Sequence, residues 1–209
     1  MRVVTWNMDG KVERWASIVP QWLDLYDVIC IQHCGEPQFL SEHDLMEEGF
    51  QTYEGIIKNK KVQYNYVFCR VPYTRGRSFN LAILSKHPLE NKRIVADSQN
   101  WRVPSLGVSV YNTNIYTLLD FSERKDSAPR LLEAIYEEHP NETIIVLGDF
   151  HRNPFSNKRW TLHYLASSTR KNNKEFDFAF SRGLNRILIK HIPMGKDSNF
   201  AVKYKLRKN

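Results

Sequence analysis

Apolar and polar positions along the chain predict many short strands and few helices. Val28–Gln32 and Ile144–Leu147 are apolar runs without alternation, a pattern typical of strands that are covered on both faces. Segments with looser alternation lie between Phe50 and Tyr73. The remaining strands are predicted at Arg2–Trp6, Asn80–Ser85, Lys92–Ala96, Gly107–Val110, Asn114–Leu119, Phe176–Phe180, Ile187–Ile192 and Phe200–Leu206.

Apolar residues at helical spacing predict helices at Lys11–Leu25, Ser127–His139 and Lys158–Ala166. Pro20 falls inside the first and is expected to kink or break it, because proline lacks the amide hydrogen that a helix interior uses. Many strands and few helices are typical of two packed sheets with helices outside. The predicted fold class is therefore α/β, in a single domain over residues 1–209.

The end of the run Ile144–Leu147 has the layout of a functional site. Gly148 is expected to let the backbone leave the sheet, so that Asp149, His151 and Arg152 project from the strand end. An aspartate that caps an ordinary strand-to-loop turn is the alternative interpretation. This stretch alone does not separate the two interpretations.

Composition narrows the class of protein and of partner. The 209 residues are 42% hydrophobic and 25% charged, ordinary globular values that leave no room for a long disordered region. The net charge of +7 favours polyanionic partners, such as nucleic acid or an anionic lipid surface. We found no signal-peptide pattern and no run long enough to cross a bilayer, so we expect an intracellular protein or a secreted one whose leader was removed. Three cysteines without paired metal spacing are expected to be buried thiols: Cys30, Cys34 and Cys69.

Four strand-end motifs carry a resemblance to a known family. In chain order they are Thr5–Asn7, Ile31–Gly35, Gly148–Pro154 and Phe176–Ala179. They resemble motifs of the endonuclease/exonuclease/phosphatase superfamily, whose members are similar to deoxyribonuclease I. Three stretches also resemble the B subunits of cytolethal distending toxins: Thr5–Gly10, Asn80–Ser85 and Arg102–Gly107.

The resemblance implies a four-layered α/β sandwich, with two mixed sheets face to face and helices on both outsides. It also implies metal-dependent hydrolysis of phosphodiesters, in which a cation stabilises the charge that develops on the phosphate. In the toxin family the B subunit works with two carrier subunits. This sequence contains no recognisable motif that would indicate a docking surface for either carrier subunit.

Several positions depart from the pattern that the resemblance implies. His33 stands where a metal-binding glutamate is expected, and an imidazole is a poorer ligand for Mg²⁺ than a carboxylate. Leu119 stands where a histidine is expected and cannot transfer a proton. The positions that keep the pattern are Asn7, Asp149 and Asp177.

Two further departures affect proton transfer. His151 stands where an asparagine is expected, and the closing serine-aspartate-histidine motif falls on Asp197–Asn199. Asn199 cannot act as a general base, because an amide does not titrate near neutrality. The sequence therefore predicts activity several orders of magnitude below that of an intact relative.

Each candidate position is assigned a role on this basis. The inherited catalytic positions, expected to be impaired, are Asp149, His151 and Asn199. The candidate metal positions are Asn7, His33 and Asp149. The candidate phosphate contacts, with solvated surface charge as the alternative, are Arg75, Arg77 and Arg152. Asp177 is expected to be structural.

The predicted function is that of a pseudoenzyme related to the toxin nuclease, which binds a protein partner or DNA and needs no cofactor. The alternative is an active metal-dependent phosphodiesterase that uses Mg²⁺ or a transition metal such as Zn²⁺ or Mn²⁺. For a transition metal, a rebuilt site would use His33, Asp149 and His151. The simpler explanation for these histidines is that they are polar residues that fill the space of the catalytic site that the resemblance implies.

Overall fold

The computed structural model describes residues 1–10, 14–34, 51–57, 59–69, 80–95, 105–120, 127–150, 152–164, 177–184, 186–192 and 201–207. The helices in this part of the chain are α1 (Trp15–Leu25) and α2 (Ser127–Glu138). The first strands are β1 (Arg2–Asn7), β2 (Val28–Gln32), β3 (Gln51–Ile57), β4 (Lys60–Cys69), β5 (Leu81–Ser85), β6 (Glu90–Val95) and β7 (Ser105–Val110). The later strands are β8 (Thr113–Leu119), β9 (Ile144–Asp149), β10 (Thr161–His163), β11 (Asp177–Arg182), β12 (Arg186–Ile192) and β13 (Ala201–Arg207).

The strands form two mixed sheets. The seven-stranded sheet has the order β12-β13-β1-β2-β5-β4-β3, and the six-stranded sheet has the order β10-β11-β9-β8-β7-β6. The pairs β1–β2 and β8–β9 are parallel, and the other pairs are antiparallel. Each parallel pair is joined through a helix, α1 or α2, because parallel neighbours need a crossover connection. The carboxyl ends of two strands therefore lie side by side in each sheet.

Alternation along the strands divides the buried residues into three layers. Val3 on β1 and Ile145 on β9 belong to the core between the sheets. Val4 on β1 packs in the layer that includes residues of α1, and Ile144 on β9 packs in the layer that includes residues of α2. These layers confirm two face-to-face sheets with helices outside. Neither helix of the described residues is both long and apolar enough to span a membrane.

The predicted helix Lys158–Ala166 is wrong. Residues 161–163 form β10, whose Thr161 and His163 are paired with β11, and residues 158–160 form a turn and a bend. Trp160 and Leu162 both pack in the layer beneath α2, so the buried residues here repeat every two positions rather than at helical spacing. Residues 165 and 166 lie outside the described part of the chain.

Two local expectations are also corrected. The break expected at Pro20 is absent, because α1 runs from Trp15 to Leu25 with the proline inside it, and the alternative of a kink stays a prediction. Gly148 does not release the backbone from the sheet, since it is paired with both Leu118 and Phe178. The looser pattern between Phe50 and Tyr73 contains the antiparallel hairpin of β3 and β4. Most other predicted strands are confirmed with bounds shifted by one or two residues, and the helix predicted at Lys11–Leu25 is confirmed from Trp15, with residues 11–13 outside the described part of the chain.

Candidate functional site

Inward-facing positions change from apolar to polar toward one edge of the two sheets. On β1 the inward residues are Val3, Thr5 and Asn7, and Val3 belongs to the core between the sheets. On β9 Leu147 belongs to the same core and is followed two positions later by Asp149. The carboxyl ends of β1 and β9 therefore bring buried polar groups together between the sheets.

Asn7 and Asp149 form a hydrogen bond from one sheet to the other. The side-chain amide of Asn7 donates from Nδ2 to Oδ2 of Asp149 at 2.7 Å, and both residues are buried. The Oδ1 of Asn7 accepts the backbone N–H of Asp9 at 2.9 Å. Because both ends of the amide are engaged, its orientation is fixed and its donor is directed at the carboxylate.

A second polar contact lies one step further into the space between the sheets. Gln32, at the end of β2, donates from Nε2 to the hydroxyls of Thr5 at 2.7 Å and Thr117 at 2.5 Å. All three residues are buried. The contact joins β1, β2 and β8, so it holds the strands that carry the site in a fixed relation.

Among the described residues, three buried aspartates lie at this edge of the six-stranded sheet. Asp149 and Asp177 are paired residues of β9 and β11, and the N–H of Asp120 donates to the carbonyl oxygen of Asp149 at 2.9 Å. Asp149 and Asp177 point to the same face of the sheet because they are directly paired, whereas the bond to Asp120 is made by the backbone. Asp120 was not predicted as a site residue. Its position directly after β8, a strand parallel to β9, was the available signal.

His33 lies at the same edge, directly after β2. Its φ is +47°, and its carbonyl accepts the N–H of Gly10 at 2.8 Å. A Cβ added to Gly10 would lie 3.3 Å from Nε2 of His33, so the ring packs against this glycine. Nδ1 of His33 is 3.8 Å from Oδ1 of Asp9, a charge interaction only when the ring is protonated. The turn after β1 therefore holds the imidazole in place.

Leu119 lies beside Asp149, where the resemblance implies a histidine. The two are paired residues of the parallel strands β8 and β9. Leu119 is fully buried in the core between the sheets. Its alkyl side chain can neither accept nor donate a proton at this position.

Arg152 is half-buried, and its guanidinium lies 4.4 Å from the ring centroid of Phe155. Phe155 in turn contacts the buried rings of Phe150 and Phe178. The arginine therefore covers an aromatic cluster beyond the end of β9, and its phosphate role stays a prediction. The remaining candidate positions lie outside the described residues: Arg75, Arg77, His151 and Asn199.

The described residues at this edge do not form a magnesium site. Among the described residues, no three histidine, cysteine, aspartate or glutamate side chains are arranged to hold a cation. Asn7 and Asp149 bond to each other, and His33 does not supply the hard oxygen that Mg²⁺ prefers. The set of His33, Asp149 and His151 includes one residue outside the described part of the chain, so a transition-metal site there stays a prediction.

Comparisons with known proteins agree with this architecture. The chain is 24% identical to the B subunit of cytolethal distending toxin from Escherichia coli over 174 residues, which cover 73% of this chain. The match covers 65% of that relative, so the chain spans just under two thirds of its length.

Solved structures show the same fold. A structure of CdtB, described as the biologically active subunit of cytolethal distending toxin, superposes with a TM-score of 0.79 at 20% identity, covering 99% of this chain and 97% of that one. The cytolethal distending toxin of Haemophilus ducreyi gives 0.80 at 17% identity, covering 100% of this chain and 98% of that one. Residues 4–162 match the sequence profile of the Endonuclease/Exonuclease/phosphatase family. The chain therefore belongs to the Endonuclease/Exonuclease/phosphatase family.

Proposed function

We propose that this chain is a catalytically impaired family member that acts by binding a protein partner or nucleic acid. The observation that carries the proposal is Leu119, which is buried beside Asp149 where the resemblance implies a histidine. Loss of general acid-base catalysis alone typically costs about 10²- to 10⁴-fold in rate. The proposal treats the retained fold as a scaffold for binding.

The metal side of the chemistry supports the same proposal. Enzymes of this family are generally metal-dependent. His33 replaces the expected glutamate, and the amide of Asn7 is already engaged with Asp149 and Asp9. A site without its hard anionic ligand binds Mg²⁺ weakly, so the electrostatic contribution to catalysis is reduced as well.

A nicking assay tests this proposal. Supercoiled plasmid and a phosphate monoester are incubated with the protein and Mg²⁺, Mn²⁺ or Zn²⁺ in turn. The panel includes Asp149→Asn, which preserves the size of the side chain, and Glu137→Gln, which changes an exposed acid on α2. We expect the same background rate for all three proteins with every metal. Cleavage that is lost in Asp149→Asn and kept in Glu137→Gln overturns the proposal.

The second candidate is an active phosphodiesterase with a rebuilt site. The observation in its favour is the group of two buried carboxyl residues, Asp149 and Asp177, which are paired across β9 and β11 at one sheet edge. A bound cation would stabilise such a group, since buried like charges are otherwise unfavourable. If His33 takes part, activity should depend on a transition metal and should fall in His33→Ala. Activity with Mg²⁺ alone that is unchanged in His33→Ala excludes this rebuilt site.

The two kinds of binding partner differ in salt dependence. Contacts with DNA phosphates release counterions, so affinity for DNA falls steeply as salt rises. We therefore propose a titration of labelled DNA at increasing salt concentrations. Strong, salt-sensitive binding supports a nucleic-acid partner. Weak binding of DNA, or binding that does not change with salt, supports a protein partner.

A further inference from the structure

A groove lies on the seven-stranded sheet, away from the candidate site. It is bounded by the end of α1 and by strands β1, β13 and β12, and its volume is about 420 Å³. Lys203 and Lys205 alternate along β13 with Val202 and Tyr204, which pack in the core between the sheets. The two lysines therefore project from the outer face. We call this feature the basic groove, and its charged residues are Arg2, Lys190, Lys203 and Lys205.

Cations face each other directly in the basic groove. Lys203 is paired with Lys190 across β13 and β12, and Arg2 is paired with Lys205 across β1 and β13. Like charges at directly opposite positions of a sheet destabilise it. Two such neighbouring pairs indicate a surface whose repulsion is relieved when an anionic partner binds.

The local acids neutralise only part of this charge. Asp27 lies 3.7 Å from the guanidinium of Arg2 and also accepts the N–H of that residue at 2.6 Å. In the part of the chain that the structure describes, no ion pair is formed by Lys190, Lys203 or Lys205. The groove therefore keeps an excess of positive charge.

Apolar side chains line the same groove. Leu25 at the end of α1 is 52% exposed, and Leu188 on β12 is 42% exposed. Leu188 is paired with Lys205, so an apolar and a charged side chain lie next to each other. A ligand that fits this lining combines negative charge with apolar groups.

We propose that the basic groove docks an acidic segment of another protein that also carries apolar side chains. Carboxylates of the segment pair with the lysines, and its apolar residues cover Leu25 and Leu188. A nucleic-acid backbone would leave the leucines uncovered, and Tyr26 is too buried to be a stacking platform. A groove of this volume also suits a discrete segment better than a flat lipid surface.

This inference is independent of the catalytic proposal. Arg2 and Asn7 lie at opposite ends of β1, about 16 Å apart at the usual rise of a strand. Loss or presence of hydrolysis at one end does not change the chemistry of the groove at the other. The two proposals can therefore fail separately.

The test measures binding of a short fluorescent peptide of glutamate and leucine to the full chain by anisotropy. The panel includes the double variant Lys203→Glu with Lys205→Glu, the single variant Leu188→Ser, and Lys61→Glu on β4 as the matched control. We expect the double variant to weaken binding about tenfold or more, the equivalent of about 1.4 kcal/mol. Leu188→Ser should also weaken binding, and Lys61→Glu should leave it unchanged.

Other probes define the outcomes that overturn the proposal. A peptide of equal length with serine in place of leucine should bind more weakly, and equal binding would disprove the apolar contribution. Binding of DNA or phosphatidylserine vesicles that the double variant abolishes, without binding of the peptide, would assign the groove to those partners instead. Thermal melting of each variant verifies folding. If the double variant melts early, Lys203→Gln with Lys205→Gln replaces it and is expected to weaken binding less but in the same direction.

Discussion

At the residue scale, the bond between Asn7 and Asp149 accounts for a buried carboxyl group. A buried carboxylate is costly unless donors compensate it, and the amide of Asn7 at 2.7 Å is one such donor. The pair also joins the two sheets at the ends of β1 and β9. The Oδ2 of Asp149 therefore has a fixed direction relative to the rest of the candidate site.

Gly148 allows the backbone conformation that places Asp149 at the end of β9. Its φ is +143°, and a Cβ added there would lie 2.2 Å from the carbonyl oxygen of Leu118 on the neighbouring parallel strand. We predict that Gly148→Ala lowers the free energy of unfolding by about 2 to 4 kcal/mol, because the backbone conformation and the strand pairing are both disturbed. Urea denaturation of the two proteins measures this difference.

Gly183→Ala is the matched comparison for that prediction. Gly183 also has a positive φ, +70°, but its added Cβ would lie 3.1 Å from the Thr143 hydroxyl, a smaller conflict. The expected cost there is about 1 to 2 kcal/mol, the usual penalty of a left-handed conformation. A larger loss in Gly183→Ala than in Gly148→Ala would contradict the close approach of β8 and β9.

Part of the site was predictable one residue at a time. Asn7 and Asp149 follow from their strand ends, but their bond spans 142 positions of the chain and depends on how the sheets face each other. Gln32 gave no chemical signal, because its contact with Thr117 exists only after the sheets pack. Asp120 was not predicted, because the resemblance implies a functional residue at the preceding position, Leu119.

At the element scale, the spacing of apolar residues predicts an element reliably when the pattern repeats along a whole helix or strand. The bounds of β2 are as predicted, and α2 ends one residue earlier than predicted. The error at β10 arose because three residues are too few to define a period, and pairing with β11 decides the conformation there. In α1, packing overrides the local preference of Pro20 to end a helix.

The pairing of β10 predicts a pH effect on stability. His163 is half-buried on β10, its Nε2 lies 2.7 Å from the hydroxyl of Ser181 on β11, and burial lowers the pKa of its imidazole below the usual 6.5. The folded state therefore binds this proton less readily than the unfolded state. The stability that the neutral imidazole contributes to the folded state is complete above pH 6.5 and declines as the pH falls from 6.5 toward the lowered pKa.

His163→Gln measures that contribution. Urea denaturation of both proteins at a series of pH values should give a difference in unfolding free energy that is constant above pH 6.5. Below that value the wild type should lose stability relative to the variant, because glutamine does not titrate. Parallel curves throughout the acid range would show that His163 has the same pKa in the folded and unfolded states.

At the scale of the whole molecule, the fold separates a group of buried aspartates from a basic groove at the surface. The carboxyl end of β9 carries the buried Asp149, which contacts Asn7 at the carboxyl end of β1, whereas the basic groove lies at the amino end of β1. The net charge of +7 therefore does not describe the surroundings of Asp149, where the buried charged residues among those described are aspartates. A partner selected by overall charge would meet the groove more readily than the site.

The predicted burial of the three cysteines is confirmed. They lie on both faces of the seven-stranded sheet, so their reactivity reports on the packing of each face. Cys30 and Cys69 pack in the core between the sheets, and Cys34 packs in the layer on the α1 side. Burial raises the pKa of the Cys30 and Cys69 thiols, which disfavours the reactive thiolate. A thiol reagent should therefore label the native protein only through unfolding.

We predict that labelling of all three cysteines has one common rate, which rises with urea in parallel with global unfolding measured by circular dichroism. The reason is that each layer shares strands with the core between the sheets, so no cysteine is exposed without loss of that core. Mass spectrometry of digested samples resolves the three sites. Rapid labelling of Cys69 alone in the absence of urea would show that β4 opens independently of β2, and would divide the seven-stranded sheet into two units of different stability.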